Sequence, residues 1–164
     1  MNLIIEDINE TAVLEFMAWR YEAPYHIYNM SQPGQMDFTE ALTYFLNPEY
    51  EFHLLNNETG DLLGFFSFGS DAQVPGGNYV PSAIDIGMAI RPDYTGRGLG
   101  VHFAETAVSF AVQKYAPPLL RVTIAEFNLR AQKVWRKLGF EKVDWFMATS
   151  SKRPFVIMTK TPNA

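Results

Sequence analysis

The sequence predicts a mixed α/β domain with a central sheet that is mostly antiparallel. Three observations lead there. "AIDIGMAI" (83–90) alternates, with Ile84, Ile86, Met88 and Ile90 on one face and Asp85, Gly87 and Ala89 on the other, which is the period of a strand. An amphipathic helix pattern separates it from a second apolar run, "LLRVTIA" (119–125), so these two strands are expected to lie parallel. "EFHLL" (51–55) and "LLGFFSF" (62–68) flank a turn-forming stretch and read as a hairpin.

The remaining elements follow in order. "LIIE" (3–6) reads as a first strand. Residues 9–19 read as a helix with Asn9 as its cap and Val13, Phe16 and Met17 on one face. An aromatic stretch broken by Pro24 comes next, and then a short helix over 38–46 that Pro48 limits. Residues 69–82 hold three glycines and two prolines and form a loop long enough to suggest function. A helix is expected over 98–115, burying Leu99, Phe103, Ala107, Phe110 and Ala111 and stopped by Pro117 and Pro118. Another spans 128–138 with Ala131, Val134, Trp135 and Leu138 on one face and Gly139 as its stop. Strands over 142–149 and 154–160, joined through "SSKR", close the chain.

Bulk properties bound the function. The 164 residues suit one domain over 1–164, and at that length roughly 70% of the unfolded surface can be buried. No apolar run reaches the roughly 20 residues of a membrane helix, and the acidic start does not resemble a signal peptide, so a cytoplasmic protein is expected. There is no cysteine, which excludes thiolate metal sites and a cysteine nucleophile. His26, His53 and His102 lack metal-like spacing, so no metal is expected. A net charge of −5 without a basic run makes nucleic acid a poor partner, and suits a cationic small molecule better.

The stretch most informative about chemistry is "RPDYTGRGLGVHF" (91–103), a glycine-rich turn between strand and helix. Amides in the first turn of a helix lack intrahelical acceptors, and the helix dipole adds partial positive charge there. Glycines at 96, 98 and 100 leave room for a phosphate group, and Arg97 adds charge. A P-loop would need Gly-Lys-Ser/Thr, which is missing. A dinucleotide site would need G-x-G-x-x-G and an acidic residue about 20 positions on, where this chain is apolar. From the loop alone, a bare helix start and the diphosphate of another cofactor both stay open.

A second stretch, "AEFNLRAQKVWRKLGF" (125–140), sets Asn128, Ala131, Trp135 and Gly139-Phe140 at fixed spacing about 30 residues after the first. Together the two motifs resemble the GCN5-related N-acetyltransferase (GNAT) family, over roughly 83–140. The resemblance implies a cleft between splayed strands that receives acetyl-CoA, with Thr95, Gly96, Arg97, Gly98, Leu99 and Gly100 around the diphosphate. It implies strand contacts to pantetheine from Met88, Ala89 and Ile90, and cofactor contacts from Asn128 and Trp135. Direct transfer to a primary amine, on a small molecule or a peptide, is the expected reaction, by a monomer or homodimer. Two departures stand out: Thr95 replaces an Arg or Gln, and Trp135 stands where many relatives carry a proton-donating tyrosine. An indole is no acid near neutral pH, so a non-catalytic acyl-CoA sensor is the alternative. Asp85 and Glu126 are candidate general bases, while Tyr21, Glu22, Tyr25 and Tyr28 are candidates for the acceptor wall.

Overall fold

The computed structural model describes residues 1–30 and 36–162. Seven strands among them form one sheet in the order β1-β2-β3-β4-β5-β7-β6. They are β1 (Ile4–Asp7), β2 (His53–Asn56), β3 (Leu62–Phe68), β4 (Ile84–Ile90), β5 (Leu120–Ala125), β6 (Glu141–Met147) and β7 (Pro154–Lys160). Every neighbouring pair is antiparallel except β4 with β5, which α3 (Gly100–Tyr115) connects. The other helices are α1 (Glu10–Met17), α2 (Phe38–Phe45) and α4 (Leu129–Lys137). The expected mixed, mostly antiparallel sheet is therefore present, with the hairpin and the parallel crossover where the pattern put them. Among the described residues no helix is long and apolar enough to cross a membrane.

Boundaries shift where capping or backbone geometry decides them. Asn9 and Asn128 lie just outside α1 and α4, because their side chains accept the amides of Ala12 (2.9 Å) and Ala131 (3.0 Å). β2 starts at His53 rather than at 51, since Glu51 adopts a left-handed backbone with φ of 48°. The expected loop at 69–82 begins with a 3-10 turn at Gly69–Ala72.

Each sheet face has its own core. Leu54 packs with Val13, Phe16, Phe45 and Phe65 beneath α1 and α2. Its neighbour Leu55 packs on the opposite side with Leu63, Phe66, Phe103, Ala107 and Trp135 beneath α3 and α4. A register shift between Leu55 and Asn56 acts as a bulge, which lets Leu62 and Phe65 share the α1 and α2 face despite their odd spacing.

Candidate active site

β4 is paired with β3 from Ile86 through Ile90. With β5 it pairs only at Ile84↔Leu120 and Asp85↔Arg121. Beyond Asp85 the two strands part, and a cleft of about 700 Å³ opens between Ile86–Ile90 and Val122–Ala125. The amide of Arg91 donates to the Leu63 carbonyl at 2.8 Å. By the strand's period of two, Gly87 and Ala89 also turn their backbone groups toward β3, and those of Ile86, Met88 and Ile90 face the opening. The carbonyl of Ile90 already accepts the Tyr21 hydroxyl at 2.7 Å. Met88 is thus left with backbone groups aimed into the cleft and no β5 partner opposite. Of the three strand residues expected to meet a cofactor, all line the cleft, and Ala89 directs its backbone to the neighbouring strand.

The glycine turn follows. Pro92–Tyr94 makes a 3-10 turn, whose Pro92 carbonyl accepts the Thr95 hydroxyl at 2.6 Å. Gly96 and Gly98 have φ of 72° and 77°, which side-chain-bearing residues rarely adopt. Gly98 in this conformation delays α3 to Gly100, two residues later than the pattern suggests. A Cβ on Gly98 would meet nothing within 4 Å, so the space before the helix is open. The first bond of α3 runs from the Phe103 amide to the Leu99 carbonyl (3.2 Å), and no side chain caps the helix. Asn9, Asp37 and Asn128 cap the other three. The leading amides of α3 are therefore without a protein side-chain acceptor.

Gly100 has a packing role as well. A Cβ there would stand 2.8 Å from Cγ2 of Val134, so its missing side chain admits α4, while the residue still lines the cleft. Arg97 is exposed and lies over the Tyr94 ring at 5.4 Å, and neither it nor Leu99 lines the cleft. Positive charge at this end comes instead from Arg130, Lys133 and Lys137 of α4.

Other expected site residues sort by geometry. Asn128 caps α4 and also donates to the Tyr28 hydroxyl at 3.1 Å. Trp135 is 4% exposed and packs edge-on against Phe140, so most of the indole is core. Asp85 does not reach the cleft. It is 2% exposed, and its two carboxylate oxygens accept Nε and Nη2 of Arg121 at 2.6 and 2.8 Å, with Gln73 adding a third bond. Alternation placed Asp85 on the correct face, but the face is closed at that end. Glu126 is exposed, accepts the Trp145 indole N–H, and lies outside the cleft lining. Glu22 is likewise exposed and outside it.

Residues 11–140 match the model of the Acetyltransferase (GNAT) family. The chain belongs to that family. It is therefore an acyltransferase by descent, and its fold agrees. A spermidine N-acetyltransferase chimera of Vibrio cholerae SpeG and hSSAT superposes with a TM-score of 0.75 at 13% identity, covering 98% of this chain and 96% of that one. A GNAT-family acetyltransferase from Bacillus anthracis gives 0.75 at 12% identity, covering 98% and 95%. AAC(6')-Ib, solved with paromomycin and acetyl-CoA, gives 0.73 at 16% identity, covering 99% and 94%. No curated protein matches the chain.

The other end of this acetyltransferase's cleft is aromatic. Phe16, Trp19, Phe45, Phe52 and Phe65 form its wall, with Tyr21, Tyr25 and Tyr28 toward the mouth. The Arg130 guanidinium sits 4.0 Å from the centroid of the Tyr25 ring, and Tyr28 lies against Phe127, so the two lips of the cleft touch. Burial pushes the phenols of Tyr21 and Tyr28 above the usual tyrosine range, with Arg130 partly opposing it at Tyr21 and the Asn128 hydrogen bond at Tyr28.

Among the lining residues that were not anticipated is Asp71, in the 3-10 turn after β3. Its carboxylate accepts the Ser67 hydroxyl at 2.6 Å and the Tyr44 hydroxyl. A Cβ on Gly87 would lie 3.6 Å from Asp71 Oδ2, so this carboxylate sits against β4 one residue before Met88. In the sequence only the length of the 69–82 loop marked the region.

Proposed function

We propose that the protein transfers an acetyl group from acetyl-CoA directly to a primary amine of a small molecule or a peptide. The observation that carries this reading is the pairing of two unsatisfied backbone features in one cleft: the uncapped start of α3 and the open edge of β4 at Met88. Both fit the cosubstrate. The amides ahead of Phe103, the open space at Gly98 and the cations Arg130, Lys133 and Lys137 suit a diphosphate. The free edge at Met88 suits the amides of pantetheine, as an added strand would. Acetyl-CoA supplies the activated acyl carbon.

The chain's own groups then have defined tasks. The Met88 amide faces the opening and donates to the oxygen on which negative charge develops, a contribution worth about 10²–10³ in rate. Trp135 supplies no proton; a thiol of pKa about 8.5 leaves tolerably as its anion. No covalent enzyme intermediate is required.

The test is thermal. Acetyl-CoA should raise the melting temperature, whereas NAD and ATP should not, and Gly98→Glu should abolish the shift by filling and charging the open space. An unchanged melting temperature at millimolar acetyl-CoA would refute the proposal. Thiol release with an amine panel then separates an enzyme from a sensor.

A further inference from the structure

The acceptor end of the cleft combines many aromatic rings with one carboxylate. Among the described residues lining the cleft, Asp71 is the only acidic one. The lining cations, Arg130, Lys133 and Lys137, all belong to α4, and Arg130 lies over the Tyr25 ring at the mouth. Two hydroxyl donors, from Ser67 and Tyr44, hold the Asp71 carboxylate in place. A carboxylate has about four acceptor sites, so two hydroxyls leave it free to take an ammonium. Its position against Gly87 puts it beside the residue whose backbone faces the opening. Phe16, Trp19, Phe45, Phe52 and Phe65 line the remaining volume with apolar surface.

We infer that Asp71 receives the acceptor's ammonium and takes one of its protons, so that the freed amine attacks the acetyl carbon, the C–S bond breaks and the second N–H proton goes to the departing thiolate, and that the acceptor is a monoamine on an apolar or aromatic body. This rests on the acyl-transfer reading above and deepens it. The argument is a charge count. One carboxylate neutralises one ammonium, while the aromatic wall covers an apolar body. A polyamine or aminoglycoside would bring further ammonium groups against aromatic walls with no counter-charge, and unpaired buried charge is strongly disfavoured. One structure with this fold is a spermidine N-acetyltransferase chimera and another is solved with paromomycin, so the same scaffold is expected to serve acceptors of different charge through the side chains at this end.

The test uses 2-phenylethylamine, its uncharged isostere 2-phenylethanol, and spermidine. Binding is titrated calorimetrically to the wild-type protein, with and without coenzyme A, and then to Asp71→Asn and Asp71→Glu. Wild type should bind 2-phenylethylamine more tightly than either competitor. Asp71→Asn should weaken the amine about ten- to a hundredfold, the range for a charged hydrogen bond, and leave 2-phenylethanol unchanged. Asp71→Glu should restore part of the preference for amine over alcohol. Tighter spermidine binding, no binding of 2-phenylethylamine, or equal losses for amine and alcohol in Asp71→Asn would each overturn the inference. The wild-type ranking decides even if the Asn variant fails to fold. Titration without coenzyme A reads Asp71 independently of whether acetyl-CoA binds, so the two readings fail separately.

Discussion

Asp85 and Asp71 lie along the same face of β4, yet their surroundings are opposite. At the closed end, where β4 and β5 still pair, Asp85 is matched by the guanidinium of Arg121, which also donates to the Pro81 carbonyl and lies over the Tyr79 ring. At the open end Asp71 has only hydroxyl partners among the described residues, and Met88 lacks a β5 partner. Where the sheet is continuous it satisfies its own polar groups. Where it splits, the groups left over are those a ligand can use.

The largest effect that would sharpen this contrast is expected at the closed end. Asp85→Ala strands the Arg121 guanidinium in the core and should destabilise the fold by about 3–5 kcal/mol, read as a lower denaturant midpoint. The double change Asp85→Leu with Arg121→Met should recover most of that loss. A variant that keeps full stability but loses turnover would instead restore Asp85 to the chemistry. Next is Met88→Pro. The Met88 amide faces away from β3, so the ladder with that strand survives, while turnover with saturating acetyl-CoA should fall about 10²–10³-fold. Full activity in this variant would break the comparison at its open end. The smallest effect belongs to Tyr21→Phe, which removes the hydroxyl from the Ile90 carbonyl. Chemical denaturation should show a loss of about 0.5–1.5 kcal/mol.

Most of the fold was legible because its elements bury regular stripes. Alternation at 84–90 and the helical stripe of Phe103, Ala107 and Ala111 give both strand and helix without reference to the rest of the chain. The glycine turn was legible for the same local reason, since left-handed backbone at positions 96 and 98 favours glycine whatever surrounds it. What the sequence does not separate is one glycine's role from another's. Gly98 opens space, but Gly100 makes room for Val134, which lies 34 positions away and is brought close only by α4 packing on α3. Asp71 was hidden for a related reason. Its neighbours Tyr44 and Gly87 come from separate elements, so no spacing rule joins them. Asp85 shows the converse, because period alone picks a face without revealing whether that face is covered.

The missing cap on α3 has a consequence for the protein's lifetime. On the proposed function, a diphosphate bound at that helix start would do the task that asparagine or aspartate performs at the other three helices, so occupancy and durability would become one variable. At a free ligand concentration a hundred times its dissociation constant, about 2.7 kcal/mol would be added to the folded state. Starved of that ligand, the chain would forgo this protection, and its exposure to heat and proteases would follow the supply of the proposed acyl donor.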